Sequence, residues 1–245
     1  MKSTFFTLLL TLLTFSLSAQ KWEKVAYSTF IKDYTKYLKK QPQAWFTTEI
    51  TTSLYSNKNQ DKPETVQQSQ LSVFGEKEYL FVSEGTIQLQ MQEVKIDIDT
   101  LEKTVLLSKA LDVSITTLQP DLFSSVDSTK YEFYTGLKEN RRWLKVVEKT
   151  PVSSMKTLVF EFDLTKSTLL QLDMFYWPSN YLTGELEDET IEEPWVRVSY
   201  SASSRLSNDT KLQTLYKEWL SYDEKSREYS CPNTNYMFYN LLIKQ

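Results

Sequence analysis

KTLVFEFDLTKSTLLQLDMFYW, residues 156–177, reads as two β-strands joined by a tight polar turn. In the first half Leu158, Phe160 and Phe162 alternate with Val159, Glu161 and Asp163, the period of two expected when one face of a strand is buried. DLTKST then interrupts the run with residues that favour turns. Alternation resumes at Leu170, Leu172, Met174 and Tyr176, while Leu169 and Phe175 add apolar weight on the other face, so this strand is expected to be covered on both sides. An antiparallel hairpin of this strength predicts an antiparallel sheet, provided its neighbours share the pattern.

They do. Upstream, Tyr131 to Leu137 and Trp143 to Lys149 read as a strand pair, with KENRR at their junction. That junction makes Arg141 and Arg142 a solvent-exposed turn, or alternatively a grip for an anionic group. Earlier still come Trp45 to Tyr55, Thr65 to Phe74 and Glu78 to Ser83, separated by the polar SNKNQDKPE segment and by Gly75-Glu76. In TIQLQMQEVKIDID, residues 86–99, Ile87, Leu89 and Met91 alternate with glutamines before the phase slips to Val94, Ile96 and Ile98. The slip predicts a bulge or turn near Gln92-Glu93. Thr104 to Ala110 and Trp195 to Tyr200 supply further strands, a helix is expected at Asp209 to Tyr222, and a last apolar segment runs from Tyr236 to Ile243.

One segment near the start, Trp22 to Lys40, has a different period. Tyr27, Phe30, Ile31, Tyr34, Tyr37 and Leu38 fall at helical spacing, with Lys32, Asp33, Lys36 and Lys39 on the opposite face. Pro42 stops this amphipathic helix, whose apolar stripe is expected to pack on the body of the protein. A short mid-chain helix is expected around Gln119-Pro120-Asp121, burying Leu122, Phe123 and Val126.

The first twenty residues, MKSTFFTLLLTLLTFSLSAQ, combine Lys2, an apolar run from Phe5 to Phe15 and the small residues Ser16, Ser18 and Ala19. This is the pattern of a cleaved secretory signal peptide, with the cut expected after Ala19. Gln20 follows, and the single cysteine is Cys231, so no cysteine is placed for an amino-terminal lipid anchor. The expected division is a signal peptide over 1–19 and one β-rich domain over 20–245, with a C-terminal extension from about 179.

Composition narrows the function. The net charge of −4 shows no basic surplus, which argues against a nucleic-acid partner. The chain contains no histidine, which excludes Ser-His-Asp and Cys-His catalysis and histidine-bearing metal sites. A non-enzymatic protein without cofactor or metal is expected. Glu185, Glu187, Asp188, Glu189, Glu192 and Glu193 form an acidic stretch that reads as a solvated loop or a hard-cation site, without the spacing of a calcium loop. Asp97 and Asp99 read as the wet side of a sheet, and Cys231 as a small buried residue. The 6 tryptophans, 15 tyrosines and 13 phenylalanines, including MFYWP at 174–178, fill either a packed core or a concave apolar pocket for a lipid, an acyl chain or a partner segment.

The order of elements, the FEFDLTKSTLLQLDMFY hairpin of Phe160 to Tyr176 and the VSEGTIQLQ step of Val82 to Gln90 together resemble the periplasmic lipoprotein-carrier superfamily of LolA and LolB. The likeness spans Trp22 to Trp177. It implies an α+β fold, mainly antiparallel β, in which a curved sheet or half-barrel carries an N-terminal helix as lid and a short mid-chain helix. It also implies an apolar cavity lined by Trp45, Phe46, Phe74, Phe81, Phe160, Phe162 and Met174, under a lid formed by Tyr27, Phe30, Ile31, Tyr34 and Leu38. The function implied is that of an exported, periplasmic binding protein for an apolar ligand or a lipidated protein. The alternative is a non-catalytic scaffold subunit of a cell-envelope complex, docking a membrane protein through the acidic stretch and the C-terminal extension.

Overall fold

The computed structural model describes residues 21–38, 44–75, 77–91, 93–110, 123, 126–151, 153–166, 168–178, 193–207, 217, 221–223, 225–226, 228–230 and 240–243. The expected signal peptide, residues 119–122, the acidic residues 185–192 and Cys231 lie outside this set. In chain order the elements are β1 (Trp22–Val25), α1 (Tyr27–Leu38), β2 (Phe46–Tyr55), β3 (Thr65–Val73), β4 (Tyr79–Ser83), β5 (Thr86–Gln90), β6 (Val94–Asp99) and β7 (Thr104–Lys109). A 3-10 turn (Ser128–Lys130) leads into β8 (Tyr131–Lys138), β9 (Arg141–Glu148), β10 (Met155–Asp163) and β11 (Thr168–Tyr176). Then follow β12 (Trp195–Tyr200), β13 (Ser204–Arg205), β14 (Ser221–Asp223), β15 (Glu228–Ser230) and β16 (Asn240–Ile243).

The main sheet runs in the order β1-β8-β9-β10-β11-β12-β2-β3-β4-β5-β6-β7-β16, with β13 beside β2, and β14 and β15 form a separate pair. It is an open, curled sheet whose edges are β1 and β16. Among the described residues every pairing is antiparallel except β16 on β7, so the last apolar segment returns to cap the β7 edge in parallel. Most neighbours are consecutive in the chain, and the central seam is the β12–β2 pairing, where the returning chain meets its own beginning.

The Lys156–Trp177 hairpin forms as its alternation requires. Phe160 pairs with Leu172 and Leu158 with Met174, but Phe162 pairs with Leu169 while Glu161 pairs with Gln171. Leu170 is thus the extra residue of a β-bulge, and the bulge places Leu169 on the same face as Leu172. The turn is set by the Asp163 carboxylate, which accepts from the backbone amides of Thr165 at 2.8 Å and Lys166 at 3.1 Å. The phase slip after Met91 is a turn, closed by the Met91 amide donating to the Val94 carbonyl at 2.8 Å.

Four expectations are corrected. Trp22–Val25, expected as the start of the amphipathic helix, is strand β1 and pairs with β8, so the helix begins only at Tyr27. Glu139 adopts φ +52°, so the β8–β9 connection is the two-residue Glu139-Asn140 turn, and Arg141 and Arg142 belong to β9 rather than to an exposed loop. Trp45 adopts φ +57°, which delays β2 to Phe46. Tyr222, the expected end of a helix, lies in β14, while Lys217 is helical and the rest of 208–220 lies outside the described residues.

Helix α1 packs through the residues its periodicity marks. Phe30 and Tyr34 are fully buried and Tyr37 nearly so, against Phe133, Leu144, Phe160, Phe162 and Leu169 of β8 to β11. Each such burial contributes on the order of 1.5–3 kcal/mol. Lys32 and Lys36 stay exposed, but Asp33 is half-buried and forms an ion pair with Arg142.

Register places a second cluster on the opposite face. Asp173 pairs with Arg197 and Arg197 with Ser53, on the outer face away from α1. Thr47, six residues before Ser53 in the same unbroken strand, pairs with Ser72, which faces Leu80, Leu89, Ile96 and Leu107 in succession. The last four, with Phe74, Ile98 and Val105, make this second cluster. The two buried apolar clusters therefore lie on opposite faces, the inner face of β8 to β11 and the outer face of β4 to β7, although Tyr79 and Gln90 are also buried on the inner side of β4 and β5.

An apolar cavity with a buried carboxylate

The inner face of β9, β10 and β11 is not filled completely. Between it and the segment holding Phe123 and Val126 lies a cavity of about 310 Å³, floored by Val146, Leu158, Phe160, Leu172 and Met174 and edged by Tyr131, Glu148 and Met155. These side chains converge because alternate residues of antiparallel neighbours share a face: Phe160 pairs with both Leu144 and Leu172, and Leu158 with both Val146 and Met174. The Lys156 bulge, visible as the register shift between Met155 and Thr157, turns Met155 into the same space. Exposed Ser153 marks the solvent side.

One end is closed by aromatic rings. Phe123 meets Phe30 edge-on at 5.3 Å, Tyr34 edge-on at 5.1 Å and Phe160 at 6.2 Å between ring centroids. The Tyr27 hydroxyl donates to the Phe123 carbonyl at 2.5 Å, tying α1 to this segment. Burial pushes the Tyr34 phenol far above its ordinary pKa, as suits a ring held within an apolar wall.

Glu148 is the chemical exception in the lining. It follows Leu144 and Val146 on the inner row of β9 and is only 2% exposed. Its Oε2 accepts from the Trp177 indole at 2.6 Å and its Oε1 from the Tyr131 hydroxyl at 3.3 Å. Burial first, and the Glu148 charge second, raise the Tyr131 pKa, so this phenol remains a donor. Lys156 also touches the cavity, yet its ammonium is engaged by the Glu193 carboxylate at 2.8 Å and lies 5.0 Å above the Trp177 ring.

The residues named from the sequence separate into groups. Phe160 and Met174 line the cavity, and Phe162 is buried beside it, stacked on Tyr37 at 5.2 Å. Phe46 and Phe81 share the inner face but lie in β2 and β4, across the β12–β2 seam. Trp45 and Phe74 occupy the outer face, where their rings meet at 6.2 Å. Of the expected lid, Phe30 and Tyr34 are buried, Tyr27 and Ile31 are half-buried against the same cluster, and the Leu38 side chain is outside the described residues. Among the described side chains none of α1 lines the cavity itself; Phe123 stands between. Sequence reading did not single out Glu148, Tyr131 or Trp177, although a glutamate in phase with Leu144 and Val146 was a signal for an inward carboxylate.

Among the described residues no three His, Cys, Asp or Glu side chains are grouped to hold a metal ion, and no helix is long and apolar enough to cross a membrane. No family model matches the chain, and no curated protein matches it. Among solved structures the chain is similar to a LolA superfamily protein from Nitrosomonas europaea, with 10% identity and a TM-score of 0.32 over 72% of this chain and 94% of that one. It is also similar to an outer membrane lipoprotein-sorting protein domain from Vibrio parahaemolyticus, with 12% identity and a TM-score of 0.30 over 76% of this chain and 96% of that one.

Proposed function

We propose that this chain is an exported, non-enzymatic binding protein of the cell envelope that holds an apolar ligand, such as an acyl chain of a lipid or lipidated protein, against the inner face of β9 to β11. The observation that carries the reading is the cavity: about 310 Å³ of space bounded by Val146, Leu158, Phe160, Leu172 and Met174 in an otherwise packed cluster. Ligand pockets begin at roughly 300 Å³, so the space suits one chain or part of one. Each methylene transferred into it contributes about 0.8 kcal/mol. Phe123, packed on Phe30 and Tyr34 of α1, acts as the closing element at one end of the space.

Native mass spectrometry of protein purified gently from its own host, followed by the same sample under denaturing conditions, tests this reading. A releasable mass in the fatty-acid or phospholipid range supports it. A bare protein that also fails to take up an acyl-chain probe refutes it. The denatured mass reads export in the same experiment, since cleavage after Ala19 leaves Gln20 as the first residue.

A further inference from the structure

Resting on the binding function proposed above, we infer that Glu148 selects the polar end of the ligand: the cavity takes an apolar chain that ends in a hydrogen-bond donor, a hydroxyl or an ammonium, and rejects one that ends in a carboxylate. A ligand seated on Val146, Leu158 and Met174 must satisfy its polar end against whatever the cavity wall offers. Glu148 offers only acceptor capacity there. A carboxylate has about four lone-pair sites, and among the described residues two donors use it, Trp177 on Oε2 and Tyr131 on Oε1. The longer of the two bonds, 3.3 Å from Tyr131, leaves Oε1 the less tightly held oxygen.

Of the other polar side chains in the lining, the Ser153 hydroxyl donates to the Met155 carbonyl at 3.2 Å, and Thr157 alternates with Leu158 and so belongs to the other face of β10. Tyr131 and Trp177 direct their hydrogens at Glu148 and raise no competing donor toward a ligand anion. Lys156, the cation of the lining, is drawn to Glu193, which also meets Lys58 at 2.9 Å. A carboxylate-ended ligand would place a negative charge beside a buried carboxyl group in an apolar surround, where like charges repel most strongly. A hydroxyl or ammonium end meets an acceptor instead.

The test compares decylamine, decan-1-ol and decanoic acid, equal in chain length, as competitors for N-phenyl-1-naphthylamine fluorescence bound to the mature protein at neutral pH. The amine and the alcohol should displace the dye at least about tenfold more tightly than the acid. In Glu148→Gln, which keeps the shape and adds a donor, that preference should shrink to within about threefold. Acid binding as tightly as the amine in the wild type would assign the polar end to Lys156 and overturn the inference, as would an unchanged ranking in the variant. A wild type that binds the acid as tightly as the amine overturns the inference whether or not Glu148→Gln folds. Equal displacement by all three refutes selection at Glu148 while leaving the binding function intact, whereas a dye that never binds refutes both.

Discussion

Glu148 illustrates how much a single buried side chain depends on its partners. The Trp177 indole is its closer donor, at 2.6 Å, so Trp177→Phe leaves a buried oxygen without that bond. Such a loss costs about 1–3 kcal/mol, and the urea midpoint should fall accordingly; a midpoint within error of wild type would mean that water replaces the indole. Gly85 makes a different demand. It sits at φ +76° in the turn between β4 and β5, and an added Cβ would lie 3.0 Å from a methyl of Leu101. Gly85→Ala should destabilise by about 1–2 kcal/mol from the left-handed backbone alone, measured in the same urea series. The glycine was evident in VSEGTIQLQ as a strand-turn-strand step, whereas the indole partner of Glu148 was not, because 29 residues separate them in the chain.

At the level of elements, α1 and the β10–β11 hairpin depend on one another. Phe30 lies fully buried between Phe123 and Phe133, with centroids at 5.3 and 5.0 Å. Phe30→Ala should cost about 3–5 kcal/mol and extend the cavity toward the helix. The check is a urea titration together with probe stoichiometry, and a small cost with no added probe binding would show that the helix collapses into the gap. Strands β2 to β12 were readable almost to the residue, since alternation reports burial of one face, whereas β1 read as the start of the helix. The bulge at Leu170 was not: Leu169 read as belonging to the other face because periodicity assumes an unbroken register. Arg142 was read as part of a turn, and only the two-residue turn at Glu139-Asn140 brings it under α1 to Asp33.

For the whole molecule, the response to pH follows from which groups are perturbed. Lys156 and then Lys58 hold the Glu193 carboxyl below its ordinary range. The Thr129 hydroxyl does the same for Asp127, and the Lys166 amide for Asp163. Folding lowers these pKa values, so the stability they contribute is complete above the unfolded carboxylate range, about 4, and is lost as pH falls through the lower native values. With no histidine in the chain, the urea midpoint should be nearly flat from about pH 8 to 5 and drop below about 4. Glu193→Gln should lower stability at pH 6 and make the acid slope shallower; an unchanged slope would remove Glu193 from the account.

By itself the sequence determined the antiparallel strands, the amphipathic helix and the identity of the apolar rows, because period-two and helical spacing are local properties that report which residues share a face. It also limited the chemistry, since a chain without histidine lacks whole classes of site. Tertiary structure alone decided which face of each half of the sheet carries the buried apolar cluster. Trp45 and Phe74 read as equivalent to Phe160 and Phe162, but the β12–β2 seam and the succession of registers beyond it carry them to the opposite side. The cavity likewise arises only when Phe123 is brought against β9 to β11, since unfilled space is a property of how elements meet and leaves no mark on any one of them.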